Sequence, residues 1–212
     1  MLDAHRFRCC WKALQAQGDP ALIFAKLQRA YDEPQRAYHD SRHLADCLKQ
    51  FDCVRDQAIA PMQVEIAIWY HDAVYDPRAT DNEARSAALA MRDLQAARVS
   101  PARIEVIDDL IMATKHDGSA ETPDAALLVD IDLSILGRSR EEFEHYDRAI
   151  RAEYAWVPED EYRAGRSAVL ERFLARPAIY STSWFKARYE VAARRNLAIA
   201  LEQLQAVVDS SS

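Results

Sequence analysis

Glycine is scarce, with 4 among 212 residues, and proline contributes only 8. An all-β sandwich or barrel needs tight turns at short, regular intervals, and this chain lacks the residues to make them. The four cysteines, Cys9, Cys10, Cys47 and Cys53, form no C-x-x-C pair, so a zinc ribbon is excluded. Reduced thiols in a cytoplasmic protein are the expectation. No stretch approaches the roughly 18 apolar residues of a membrane span. The opening "MLDAHRFRCCWKALQAQ" is charged and lacks the apolar centre of a signal peptide. Positive charge is also in deficit: 27 Lys and Arg against 34 Asp and Glu give a net charge of -7. That balance disfavours binding to nucleic-acid polymers or anionic membranes, while leaving room for a local basic pocket.

Hydrophobic residues make up 50% of the chain and charged residues 29%, enough for a sizeable core. Their spacing is that of helices almost throughout. A helix is expected over Asp3 to Gln17, closed by Gly18, and a second from Ala21 to Tyr31. "SRHLADCLKQFDCV" carries a stripe at Leu44, Cys47, Leu48 and Phe51. Pro61 opens "MQVEIAIWYHD", apolar on most faces and therefore central to a bundle. Asp81 or Asn82 can cap "EARSAALAMRDLQAA", and Pro101 starts the stripe Ile104, Ile107, Leu110, Ile111. "DAALLVDIDLSIL" fits a helix or a buried strand, and helix is expected in this company. A long last helix from Ser183 to Val208 turns Tyr189, Ala193, Leu197 and Leu201 inward, and Ser210 to Ser212 are expected to fray. The expectation is an all-α protein: one helical domain over 1–212, with the first and last helices packed on its core.

"AIWYHDAVYDP" runs an apolar helix into His71-Asp72, polar groups that are costly to bury unless paired. His43 lies on the preceding helix and Asp132 comes much later in "LLVDIDLSIL", each beside a strongly apolar run. Imidazoles with carboxylates suit a divalent transition metal such as Mn, Fe, Co, Ni or Zn, and all-oxygen donors would suit Mg better.

The order His43, His71-Asp72, Asp132 resembles the HD-domain superfamily of metal-dependent phosphohydrolases. "YHDSRHL", "AIWYHDAVYDP", "DNEARSA", "MATKH", "DIDLSILG" and "IRAEY…YRAGRSAVLERFLARPAIY" resemble a bacterial subfamily of predicted HD phosphohydrolases over Tyr38 to Asn196. The resemblance implies an all-helical HD bundle holding a divalent ion, with His43, His71, Asp72 and Asp132 as ligands. The first ligand is His39 or His43, and His43 is preferred because the apolar stripe follows it. His39 then becomes a substrate contact or proton donor. Asp132 is preferred to Asp130 because an apolar segment follows it. His116 is the only histidine placed where two-metal members carry two, so one ion per chain is expected. His116 is left to hold a phosphate, to donate a proton to the leaving group, or to sit as a cation at a helix end.

The resemblance implies hydrolysis of a small phosphorylated, nucleotide-like substrate by metal-activated water. Asp72 orients that water, and Glu83 is the candidate general base or orienting group. Phosphate needs cations, and Arg42, Lys115, Arg163 and Arg166 are the candidates. Asp76 fits a turn residue before Pro77. The alternatives are an alarmone-type pyrophosphohydrolase, or a non-catalytic nucleotide-binding regulator with the same fold. No membrane partner is expected, and the choice between monomer and homodimer stays open.

Overall fold

Short acidic side chains and prolines set most helix starts. In the computed structural model, which describes residues 2–116, 118 and 120–209, Asp3 accepts from the amides of His5 and Arg6 to begin α1 (Ala4–Ala13). Asp19 accepts from Ala21 N, and Pro20 starts α2 (Pro20–Tyr31). Asp40 accepts from the amides of Arg42 and His43 at the head of α3 (Ser41–Val54), which ends in a 3-10 turn. Pro61 and Pro101 open α4 (Pro61–Tyr70) and α6 (Pro101–Ala113), with α5 (Asn82–Ala96) between them. α7 (Pro123–Asp132) runs into a 3-10 segment, Leu133–Gly137. A Ser139/Glu142 capping box begins α8 (Arg140–Glu153), followed by α9 (Glu159–Leu174) and α10 (Ser183–Asp209). Among the described residues there is no strand, so the all-α expectation holds. No described helix is long and apolar enough to cross a membrane.

Two boundaries differ from expectation. α1 stops at Ala13, four residues before the expected Gln17, because Gln15 takes a left-handed φ of 60° and cannot continue the helix. "DAALLVDIDLSIL" is helical, but tightens to 3-10 after Asp132. The expected fraying of Ser210 to Ser212 lies outside the described residues.

The chain divides into two compact units, one ending at Asp132 and one beginning at Leu133. The first is built around α4, in which Val64 to Tyr70 are all buried. α4 packs against α1, α3, α5, α6 and α7. Phe7, Phe24 and Trp69 pack edge-on or tilted, with Phe7–Trp69 centroids 5.1 Å apart. Polar groups that reach this core are paired. Glu65, 2% exposed, takes Arg6 at 2.8 Å and Arg55 as partners. Asp93 takes Lys26 and the Tyr70 hydroxyl. The buried carboxylate of Asp124, at the start of α7, accepts from the amides of Ile59 and Ala60, both at 2.8 Å. It thereby satisfies backbone donors at the head of α4, where α4 has no side-chain cap of its own.

In the second unit α10 lies along α9 and along the Leu133–Gly137 segment. The close approach falls at Gly137. A Cβ there would meet Tyr189 Cβ, Tyr189 O at 2.7 Å and Tyr189 Cα at 2.9 Å. Buried Asn196 donates to the carbonyls of Leu136 (2.9 Å) and Arg138 (3.0 Å), and Tyr180 to that of Leu133 (3.0 Å). Tyr189, Ala193 and Leu197 face this unit's core as expected, while Leu201 is half-buried.

Candidate metal centre

His43 sits in the first turn of α3, where the Asp40 cap fixes the backbone. His71 follows the last residue of α4, and its Nδ1 lies 2.8 Å from the Ile68 carbonyl. A carbonyl only accepts, so Nδ1 carries a proton, and whenever the ring is neutral Nε2 presents its lone pair. That lone pair points at His43 Nε2, 3.2 Å away. Two carboxylate oxygens close the group. Asp72 Oδ2 is 3.0 Å from His71 Nε2 and 3.4 Å from His43 Nε2. Asp132 Oδ1 is 3.1 Å from His43 Nε2 and 3.6 Å from His71 Nε2.

Of these five separations, the four between 3.0 and 3.4 Å fit a shared cation, and that from His71 to Asp132, at 3.6 Å, is slightly longer. Donors at roughly 2.1 Å from one ion, subtending 90–109°, lie about 3.0–3.4 Å apart. Facing imidazole nitrogens flanked by two anions need positive charge between them, supplied by protons or by a metal. The titration of the groups says the same. Burial opposes ionisation of Asp72, but the adjacent His71 and the hydrogen bonds from His43 and His71 outweigh it and hold the carboxyl well below its usual range. Asp132 is lowered in the same way, with His116 as the strongest opponent of burial. Burial pushes the His71 imidazole down, yet Asp72 and the neighbouring oxygens win and raise it well above the usual value. For His43 the interactions with Cys47 and Tyr38 and the bonds to Asp132 and Asp72 do so.

His43, Cys47, His71 and Asp132 each bring one donor atom within 4.8 Å of the others, and such a group could hold a metal ion. Cys47 escaped the sequence reading, which used it only as part of an apolar stripe. Its signal was the i, i+4 spacing from His43, which stacks the two on one helix face. Its Sγ is nearly equidistant from both ring nitrogens of His43, at 3.8 and 3.7 Å. The sulfur therefore lies against the ring rather than in line with the Nε2 lone pair, and Asp72 Oδ2 makes the closer contacts to the histidine pair.

His116 joins the group from the chain after α6, its Nε2 2.9 Å from Asp132 Oδ2. Its φ of 57° is left-handed, a conformation that costs free energy in a residue with a side chain and here aims the ring at Asp132. His39 stacks on Tyr75 at 4.2 Å, its ring 5.9 Å from that of His43, and it helps to lower Asp72. It lies beside the donors, while His43 stands among them. Asp130 is fully buried and outside the group.

The other candidates sit differently. Arg42 is exposed and turned to Asp40, 2.7 Å away. Lys115 is exposed in the turn ending α6, one residue before His116. Glu83 is half-buried in the first turn of α5 and shares no hydrogen bond or ion pair with the donors. In "DNEARSA" it is Asn82 and Ser86 that bond the turn after His71, at Asp76 and Val74. Asp76 accepts from Arg78 N at 2.9 Å, the expected turn role. Arg163 and Arg166 belong to the second unit and are buried there. Arg163 donates to the Leu204 carbonyl, and Arg166 pairs with Asp147 at 2.8 Å over the Tyr146 ring. Their guanidinium groups are engaged within that unit, because each is buried and must be paired. No protein-family model, curated protein or solved structure matches the chain.

Proposed function

We propose that this protein is an HD-type, metal-dependent phosphohydrolase acting on a small phosphorylated, nucleotide-like substrate. The observation that carries the proposal is the meeting of two imidazole Nε2 atoms and two carboxylate oxygens, from His43, His71, Asp72 and Asp132, at 3.0–3.6 Å. Such a donor set holds one divalent ion, with Mn, Fe, Co, Ni and Zn favoured over Mg by the imidazoles. The ion, when bound, lowers the pKa of water towards neutrality and screens phosphoryl charge.

The chain supplies the rest. His71 Nδ1, fixed on the Ile68 carbonyl, keeps Nε2 free to bind. His116 orients Asp132 through its far oxygen and stands ready to pass a proton to a leaving group. Exposed Lys115, next to His116 in the chain, is our candidate cation for a phosphate, and the His39 ring lies 5.9 Å from that of His43. Arg163 and Arg166, already paired, are no part of this reading.

The test is metal analysis of the purified protein, followed by a screen of nucleotides and small phosphoesters with Mn, Co, Ni and Mg. About one ion per chain and metal-dependent release of phosphate are expected. A folded protein that retains none of these ions from micromolar solutions, or that binds metal yet hydrolyses no phosphoester, removes the proposal.

A further inference from the structure

Arg36 lies between α2 and α3, and its side chain is 0% exposed. Nη1 donates to the carbonyls of His39 (2.9 Å) and Asp72 (2.6 Å), and Nη2 to that of Ala73 (3.2 Å). Nε donates to Glu33 at 3.1 Å. The rings of Tyr31 and Tyr75 flank the guanidinium, 5.2 and 5.6 Å from its carbon. A buried guanidinium is costly unless its donors are satisfied, and here most of them are spent on backbone. The carbonyls come from two places. His39 immediately precedes Asp40, whose side chain fixes the turn carrying His43. Asp72 and Ala73 belong to the turn that carries the donors His71 and Asp72. One rigid, planar fork thus ties together the two segments that present His43 and His71.

We propose that Arg36 is a positioning residue of the metal centre: it fixes the separation of His43 from His71 and Asp72. This rests on reading the four donors as a metal centre. Lysine offers a single point of donation and cannot reproduce the fork.

The experiment compares wild type with Arg36→Lys, Arg36→Met and Glu33→Ala. Each is titrated with Co(II), following the visible absorption, and each is melted without metal. Outer partners of metal ligands typically account for about 10–100-fold in affinity, and that loss is expected for Arg36→Met, with a changed Co(II) spectrum. Arg36→Lys should recover only part of it. Glu33 is 42% exposed, so its removal leaves the fold in place even if Arg36→Met does not fold. Glu33→Ala frees one anchor of the fork and should lower affinity about two- to tenfold. Folded variants that bind Co(II) with wild-type affinity and spectrum overturn the inference while leaving the metal centre standing. Wild type that binds no Co(II) overturns both.

Discussion

Asp72→Ala is expected to give a folded helical protein that no longer keeps its metal and no longer hydrolyses phosphoesters. The fold should survive because the turn is held by its backbone. Asp72 N meets the Tyr31 hydroxyl at 3.3 Å and Asp72 O accepts from Arg36. The donor set should not survive, because Asp72 Oδ2 is the oxygen closest to His71 Nε2. Its loss leaves two imidazoles and one carboxylate, and halves the negative charge facing the cation. Removing one partner from a buried charge cluster costs about 3–5 kcal/mol, or roughly a hundredfold to several-thousandfold in affinity. Metal content after dialysis and phosphate release measure both halves. A variant that keeps metal and turnover would show that Asp72 is no ligand.

Gly137→Ala should be the most damaging small change in the second unit. The added methyl would press on Tyr189 Cα and its carbonyl oxygen, which are backbone and cannot swing aside as a side-chain tip can. α10 would have to lift from the Leu133–Gly137 segment. The donations from Asn196 to Leu136 and Arg138 and from Tyr180 to Leu133 cross that contact and would weaken together. Overpacking of this kind costs about 1–3 kcal/mol and sometimes more, roughly 4–8 °C of melting temperature per kcal/mol in a unit this small. Thermal unfolding followed by circular dichroism reads it. Melting within a degree of wild type would mean that the contact relaxes at no cost.

What could be read in the sequence were features that act locally. Pro61 and Pro101 start helices because proline fits a first turn that needs no amide donor. The caps by Asp3, Asp19 and Asp40 are equally local, whereas the one cap expected, Asp81 or Asn82 on α5, makes no side-chain cap bond. His71 and Asp72 stood out because polar groups interrupt an apolar helix. What stayed hidden acts through the fold. Arg36 resembles any arginine beside a glutamate until two distant turns bring carbonyls to it. Arg163 and Arg166 suggested a phosphate rim by type and spacing, but Asp147 and the Leu204 carbonyl, far along the chain, claim them. Glu83 was singled out from a motif whose structural contacts are made by Asn82 and Ser86. Cys47 was read as core, and core it is, but against the ring of His43.

Asp124 joins the heads of α4 and α7, while His71 and Asp132 meet at their tails. The two helices therefore run in parallel and direct their carbonyl ends, each worth about half a negative charge, at the same point as two carboxylates. The amino end of α3, where Asp40 takes the amides of Arg42 and His43, opposes them there, together with the Arg36 guanidinium on the Asp72 and Ala73 carbonyls and the imidazoles of His43 and His71. Under the proposed function, a phosphate arriving before the metal would face two carboxylates and two helix carbonyl ends, so the cation is expected to enter first and the anion second. Calorimetric titration with inorganic phosphate should show no heat of binding to metal-stripped protein and a measurable isotherm after Mn(II) is added. Equal binding in both would mean that phosphate approaches by a route these helix ends do not govern.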